Sequence, residues 1–310
     1  MTGSRQVIID CDPGIDDALA LMLALRSPEL SVRAVTIVAG NVGLAQCLVN
    51  ARRVCQLVAG EARPPIHAGA AAPLARKPVE AGHVHGHDGM GGLSAELEAG
   101  AEPEAPPAEE AILSIAAGAP GEVTLITLGP LTNAARAARR DPGRFRKLAG
   151  IVSMGGAFAV HGNITATAEF NIFADPHAAQ AVIETGVPVR MVGLDVTTQV
   201  WLGRAERERA APHPAASFAA RAAEFYSGFY RRFLGDGCYL HDPLVIGAVI
   251  DESLVTCETA AVTVETEGVA TFGMTVVDRR PWSEAAKRVE ISTAVDARRF
   301  LTLFEERVLQ

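Results

Sequence analysis

The chain has 310 residues, 49% of them hydrophobic, and a formal charge of -8 at pH 7. That length and apolar content exclude a disordered chain and indicate a buried core, while the acidic balance argues against nucleic acid as a partner, because phosphate backbones are held by Lys and Arg. Cys11, Cys47, Cys55, Cys238 and Cys257 are odd in number and form no CxxC pair, which speaks against a disulfide framework or a sulfur-rich zinc site and fits a reducing compartment.

In chain order, MTGSRQVIID carries one basic residue and runs directly into a strand-like stretch with no signal-peptide core before it. The apolar stretch 18–25 is too short to span a bilayer. A cytoplasmic protein with no membrane partner is expected. Short β-branched runs recur at 7–10, 32–40, 123–129, 151–156 and 187–194, with Ala-rich helical patterns such as LAQCLVNARRVCQLVAG and LTNAARAARR between them. This alternation predicts an α/β fold with a doubly wound, mostly parallel sheet, a Rossmann-type core with helices on both faces. Ligands should bind at the carboxyl edge of such a sheet. AELEAGAEPEAPPAEEA reads as a solvated loop running into a helix. AAVTVETEGVATFGMTVVD alternates around Glu267-Gly268 and predicts a small C-terminal hairpin, followed by the strand RVEISTAV and a final amphipathic helix, DARRFLTLFEERVL. Without an internal repeat, a single domain over 1–310 is expected.

VIIDCDPGIDDALALMLAL, residues 7–25, places Asp10 and Asp12 at the end of the first strand, a Pro13-Gly14 turn after them, and Asp16-Asp17 at the start of a helix whose dipole favours negative charge. A cap and a turn explain one or two acids. Four within eight residues, with no Lys or Arg between 7 and 25, raise one another's pKa and call for a cation. All-oxygen ligation selects a hard ion, Ca²⁺ or Mg²⁺, and the looser shell of calcium better accepts carboxylates, carbonyls and hydroxyls together.

These motifs resemble the nucleoside hydrolases of the inosine-uridine-preferring family, whose signature is D-x-D-P-G-x-D-D. DCDPGIDDA is followed, in the family's order, by AGN (39–41), HGHDGMGG (85–92), LGPLTN (128–133), MGGAF through AEFNIFADP (154–176), HDP (241–243) and GMTVVD (273–278), across nearly the whole chain. The resemblance implies a nucleoside hydrolase fold and calcium held by Asp12, Asp17, Asp242 and the backbone carbonyl of Leu128. It implies Asp12 also as general base toward a water, Asp16 on a ribose hydroxyl, Asn41 orienting the water or the metal shell, and Asn163, Glu169 and Asn171 on the remaining hydroxyls. His241 would face the nucleobase, where an imidazole can donate a proton to a leaving nitrogen. Asp10 is read as support for the strand-end turn, Thr132 and Asn133 as helix-start residues, and Asp242-Pro243 as a helix start with Asp242 its cap.

His83, His85 and His87 alternate and could bind zinc or nickel on a strand, but the glycines after them favour a loop. The resemblance makes this a mobile segment over the substrate, with His85 contributing to the base or sugar site and no role for His83 or His87. Phe225, Tyr226, Phe229 and Tyr230 recur at helical spacing, a pattern usual for core; the resemblance turns that helix toward the base and leaves open whether Tyr226 or Tyr230 contacts it. Trp201 and Trp282 are far apart in sequence, so a tryptophan pair stacking on a purine is not expected.

The implied reaction is hydrolysis of a ribonucleoside to ribose and a free purine or pyrimidine base, in salvage, by a homodimer or homotetramer. Two alternatives remain at this level. A Mg²⁺-dependent phosphohydrolase would need a Lys or Arg near the acids. A non-catalytic nucleoside sensor could keep the sugar ligands and lose Asp12.

Overall fold

A computed structural model of the chain describes residues 3–100, 105–280, 282 and 288–310. Among these, eleven strands form: β1 Arg5–Cys11, β2 Leu30–Ile37, β3 Ile66–Ala68, β4 Val123–Thr127, β5 Gly150–Met154, β6 Val189–Val192, β7 Trp201–Gly203, β8 Gly237–Tyr239, β9 Val255–Val264, β10 Thr275–Asp278 and β11 Arg288–Val295. Nine build one sheet in the order β10-β9-β11-β6-β5-β4-β1-β2-β3. The pairings from β11 through β6, β5, β4, β1 and β2 to β3 are all parallel, and β9 and β10 add an antiparallel margin. The expected α/β class and the five foreseen strand runs are present. Strands β3, β7 and β8 were not foreseen, each having three residues and too few side chains to display a period.

The central strands are buried on both faces, which is why β1 and β4 read as near-continuous apolar runs. One core layer gathers Val7, Ile9 and Ile126 with Leu19 and Leu23, and the other gathers Ile8, Leu125 and Ile151 with Ile112 and Ala134. Helix Ile15–Leu25 is buried from Ile15 to Ala24 and packs against helices Leu44–Ala59 and His241–Ile250. Its apolar residues therefore occupy every face of the helix.

Two local details differ from expectation. The expected C-terminal hairpin forms, β10 pairing antiparallel with β9, but its turn is wider than Glu267-Gly268: β9 stops at Val264, β10 starts at Thr275, and within that loop the Glu265 carboxylate accepts the amides of Glu267 and Gly268. This hairpin extends the main sheet, since β9 also pairs with β11. The final helix is regular only over Ala297–Phe304 and then winds more widely over Glu305–Leu309. Of the Pro-rich segment, residues 101–104 lie outside the described residues, and helix Ala108–Gly118 follows as expected.

Candidate active site

Because β1, β2, β4, β5 and β6 run the same way, the segments leaving their carboxyl ends meet at one edge of the sheet. They carry Asp12 after β1, Asn41 after β2, Leu128 after β4, the glycine loop after β5 and Thr197 after β6. Helices Ile15–Leu25 and His241–Ile250 pack side by side with Asp16, Asp17 and Asp242 in their first turns, so two partly positive helix ends lie at the acid cluster. Helix Ile15–Leu25 is capped by Gly14, whose amide donates to Asp17 Oδ2 at 3.0 Å. Helix His241–Ile250 is capped by Leu240; Asp242, expected as the cap, sits one residue inside the helix and makes no capping bond, which leaves both its oxygens for the site.

Asp16, Asp17 and Asp242 each offer a carboxylate oxygen within 4.8 Å of the others, the only metal-competent triplet of His, Cys, Asp or Glu among the described residues. Asp12 stands beside this triplet. Its backbone N–H donates to Asp17 Oδ1 at 3.1 Å, and its own Oδ2 accepts the Asn41 amide at 2.7 Å. Asn41 Nδ2 also donates to Asp17 Oδ2 at 2.9 Å and to the Asp12 carbonyl at 3.2 Å, so one side chain fixes two acids. Asp12 Oδ1 and Asp16 Oδ1 are buried without a hydrogen-bond partner. A Cβ on Gly129 would come within 2.3 Å of Asp12 Oδ1 and one on Gly40 within 2.0 Å of Oδ2, so the carboxylate fits only because both neighbours are glycine.

Burial pushes all these acids up. The Asp16 carboxyl rises to about 6; Asp17 also rises to about 6, with the charge of Asp16 adding to burial. Asp12 rises well above the usual range through burial and then the charge of Asp17, and Asp242 through burial and then Asp16, Asp17, Asp12 and Glu169. Like charges brought together without a counter-ion behave this way. No Lys or Arg lines the cavity among the described residues. Orphaned oxygens and a purely oxygen donor set fit a hard divalent cation. The Leu128 carbonyl lines the same cavity and accepts Asn171 Nδ2 at 2.5 Å, with a second lone pair to spare.

Asn163, Glu169 and Asn171 line the same cavity. Glu169 caps helix Phe170–Ala174, taking the amides of Asn171, Ile172 and Gly156; burial nonetheless raises it to about 7. Gly156, at φ +95°, supplies one of those amides from a conformation that L side chains rarely adopt. Asn163 Oδ1 accepts the Phe170 amide at 2.8 Å, so its Nδ2 is the group left for a ligand. Asp10 lies behind the cavity: its Oδ1 accepts Thr36 Oγ1 at 2.5 Å and Asn133 Nδ2 at 2.8 Å, and burial raises it to about 7. Asn133, expected only as a helix start, also donates to the Ile37 carbonyl and accepts the Ala70 amide, tying β1, β2 and the segment after β3 together.

The other end of the cavity is aromatic. His85 lies in the helical turn Gly82–His85, not on a strand, so His83, His85 and His87 do not share a face; His85 is buried while His83 and His87 are exposed. The Ile15 amide donates to His85 Nδ1 at 3.1 Å, which leaves the proton of the neutral ring on Nε2. Burial lowers His85 to about 4, so its 3.8 Å approach to Asp16 is a dipolar contact, not an ion pair. Its ring lies 5.2 Å from that of Tyr226. His241, lowered by burial to about 3, has Nδ1 at 2.8 Å from Thr197 Oγ1 and Nε2 at 3.3 Å from Tyr230 Oη, which is 3.2 Å from Tyr226 Oη. Both tyrosines line the cavity, where the sequence pattern alone suggested core. Trp201 packs edge-on against Tyr230 and Tyr239, whereas Trp282 is exposed. Thr197 was missed because its only sequence signal is a hydroxyl residue just after an apolar run, a common pattern.

A family model described as inosine-uridine preferring nucleoside hydrolase matches residues 7–302. The chain is 39% identical over 308 residues to a pyrimidine-specific ribonucleoside hydrolase, RihA, of Enterobacter sp. (strain 638), covering 98% of this chain and 97% of the relative. Among solved structures, a plant nucleoside hydrolase, the PpNRh1 enzyme, superposes with a TM-score of 0.92 at 34% identity, covering 98% of this chain and 99% of that one. A purine-preferring ribonucleoside hydrolase from Gardnerella vaginalis superposes at 0.90 and 32% identity, covering 98% of both chains.

Proposed function

Because the chain belongs to the inosine-uridine preferring nucleoside hydrolase family, whose members hydrolyse N-glycosidic bonds, we propose that it is a calcium-dependent ribonucleoside hydrolase releasing ribose and a free purine or pyrimidine base. One observation carries this reading: a single cavity has buried acids with unpartnered oxygens at one end and a neutral imidazole and hydroxyl chain at the other.

Asp12, Asp17 and Asp242, with the Leu128 carbonyl, would hold the ion, and Asp16 beside them is left for the sugar. When bound, a hard divalent cation neutralises the acids, grips vicinal hydroxyls and acidifies water mildly. The donor set is all oxygen and drawn from separate segments of the fold, which suits the larger, looser shell of calcium better than the strict octahedron of magnesium.

The chain's own residues supply the rest. Asp16 Oδ1, Asn163 Nδ2, Glu169 and the carbonyl oxygen of the Asn171 side chain hold the ribose hydroxyls, and Asn41 keeps Asp12 aimed. Asp12 Oδ1 takes a proton from the attacking water as its oxygen bonds to the anomeric carbon. The electron pair of the breaking N-glycosidic bond leaves with the base, whose nitrogen accepts a hydrogen bond from the chain of His241, Tyr230 and Tyr226, and the proton that the base finally keeps is taken up from solvent and relayed along that chain. Asp12, Asp16, Asp17, Asp242 and Glu169 surround the sugar with negative charge, which favours a transition state with oxocarbenium character. Salvage of nucleosides in the cytoplasm by a homodimer or homotetramer belongs to the same proposal; no helix among the described residues is long and apolar enough to cross a membrane.

The test mixes purified protein with inosine, uridine, cytidine and a nucleotide, with and without a chelator, and follows free base, reducing sugar and inorganic phosphate. Base and sugar should appear together, stop with the chelator and return with calcium. Release of phosphate alone, binding without turnover, or turnover indifferent to the chelator overturns the reading.

A further inference from the structure

We propose that Thr197 is a positioning residue that holds the proton of neutral His241 on Nε2 and thereby sets the direction of the hydrogen-bond chain toward the leaving base. The inference rests on the hydrolase reading for its consequence in turnover, and on geometry alone for the tautomer.

Thr197 closes the short helix Leu194–Thr197, directly after β6, and is fully buried. Its amide is spent on the Gly193 carbonyl at 3.1 Å. The hydroxyl of the next residue, Thr198, donates to the Leu194 carbonyl at 2.6 Å, the ordinary use of a threonine in a helix. Thr197 Oγ1 makes a single hydrogen bond among the described residues, to His241 Nδ1 at 2.8 Å, across 44 positions of sequence. A hydroxyl can donate or accept, but a buried hydroxyl hydrogen left without an acceptor is costly. Only one arrangement avoids that cost: the hydroxyl donates to Nδ1, Nδ1 is the bare nitrogen, and the ring proton sits on Nε2.

The polarity of every later link follows. Nε2–H donates to Tyr230 Oη over 3.3 Å, so Tyr230 must direct its own hydrogen elsewhere, to Tyr226 Oη at 3.2 Å or to a ligand. Tyr226 in turn has its hydrogen available for the cavity it lines. With the opposite tautomer the chain would run backward: Tyr230 would donate into Nε2, and the cavity would meet acceptors where the leaving nitrogen needs a donor. His85 is fixed in the same Nε2–H form by the Ile15 amide, so both imidazoles of the base end are set as donors by groups behind them.

The experiment labels the histidines with ¹⁵N and assigns His241 by its absence from His241→Gln. The two nitrogens of a neutral ring differ widely in shift according to which bears the proton. The wild-type spectrum should place the proton on Nε2; a proton on Nδ1 overturns the proposal without any variant. Thr197→Val, nearly isosteric, should move the proton wholly or partly to Nδ1 and lower kcat for inosine by about tenfold to a hundredfold, a share of what a positioned acid contributes, with KM within about twofold. Thr197→Ser should restore both. A riboside with a phenolate leaving group that needs no proton should be turned over by Thr197→Val as by wild type, which a merely distorted fold would not do. A Thr197→Val protein that keeps the Nε2–H tautomer or full kcat overturns the proposal, and one that fails to fold leaves the wild-type spectrum to decide it. A wild-type protein that hydrolyses no nucleoside sinks the hydrolase reading instead, with the tautomer still measured.

Discussion

The two ends of the cavity are built by different means. At the acid end, the functional atoms come from loops leaving parallel strands and from the first turns of helices Ile15–Leu25 and His241–Ile250, and three of the acids are held by backbone amides: Asp12 by Asn41, Asp17 by Asp12 and Gly14, Glu169 by Gly156, Asn171 and Ile172. At the aromatic end, side chains hold side chains: Thr197, His241, Tyr230 and Tyr226 form one chain, backed edge-on by Trp201 and Tyr239. Backbone cradles fix charge and tolerate little change. Side-chain chains fix proton direction and are open to repacking. The acid end should therefore respond to substitution as an all-or-none device and the aromatic end in a graded way that depends on the leaving group.

The largest effect should come from Asp242→Ala. It removes one of three carboxylates within 4.8 Å of one another, and with it the grip on the cation, so turnover of every nucleoside and of activated ribosides alike should fall by at least about 10³, the several kcal/mol that such an ion supplies. Calorimetric titration with calcium should show the lost binding directly. Turnover that survives would break the contrast between the two ends.

His241→Ala should be smaller and selective. Loss of a positioned acid slows the reaction by about 10² to 10⁴ for inosine, while a riboside whose leaving group departs as a stable anion should keep most of its rate. Equal losses on both substrates would place His241 in the sugar-binding machinery and erase the division.

The acid end also predicts how stability depends on pH when the cation is stripped. Asp10 and Glu169 are raised to about 7, and Asp16 and Asp17 to about 6, by burial. Each folded-state pKa lies above its unfolded value, so the unfolded chain gives up its protons first. Stability should therefore fall as pH rises from about 4 to about 7 and level off beyond. Thermal melts in chelator should show Tm several degrees lower at neutral pH than near pH 5, a change of order a few kcal/mol. Added calcium should remove most of the slope. A chelated protein more stable at pH 7 than at pH 5 would mean that the acids are already compensated from within.

The same division governs how much could be read in the sequence. The strands were legible because both faces are buried, which writes them as β-branched runs, and the acids because DCDPGIDD concentrates four charges in eight residues with no Lys or Arg in the same stretch to offset them. Asn41, Glu169 and Asn171 came from motif order. The aromatic end was less legible because its contacts join β6, helix Pro214–Tyr230 and helix His241–Ile250 across long stretches of chain. The hydroxyl of Thr197 looks like that of Thr198 until the fold places an imidazole in front of one and a helix carbonyl before the other. The fold brings Asp242 beside Asp16 and Asp17, while its expected cap role failed because the helix begins at His241, two residues earlier than the proline suggested.

The segment 81–94 joins the two ends, and its anchors sharpen the comparison at the smallest scale. Asn50, fully buried, donates to the carbonyls of Pro13 at 2.9 Å and Asp88 at 2.8 Å and accepts Ser94 Oγ at 2.6 Å, fastening the segment to the DPG turn. Glu96, just beyond it, meets Arg221 of helix Pro214–Tyr230 in a two-pronged pair, with both side chains more than half exposed. The two anchors should not count equally. Asn50→Ala strands two buried carbonyls and a hydroxyl and should cost about 1–3 kcal/mol per group left unpaired, loosening His85 and raising KM. Arg221→Ala removes a pair that water and salt already screen, and should change neither Tm nor KM measurably. Should Arg221→Ala prove the more damaging of the two, the segment would be held chiefly from the aromatic side, and the acid end would not be the rigid frame on which the rest of the site hangs.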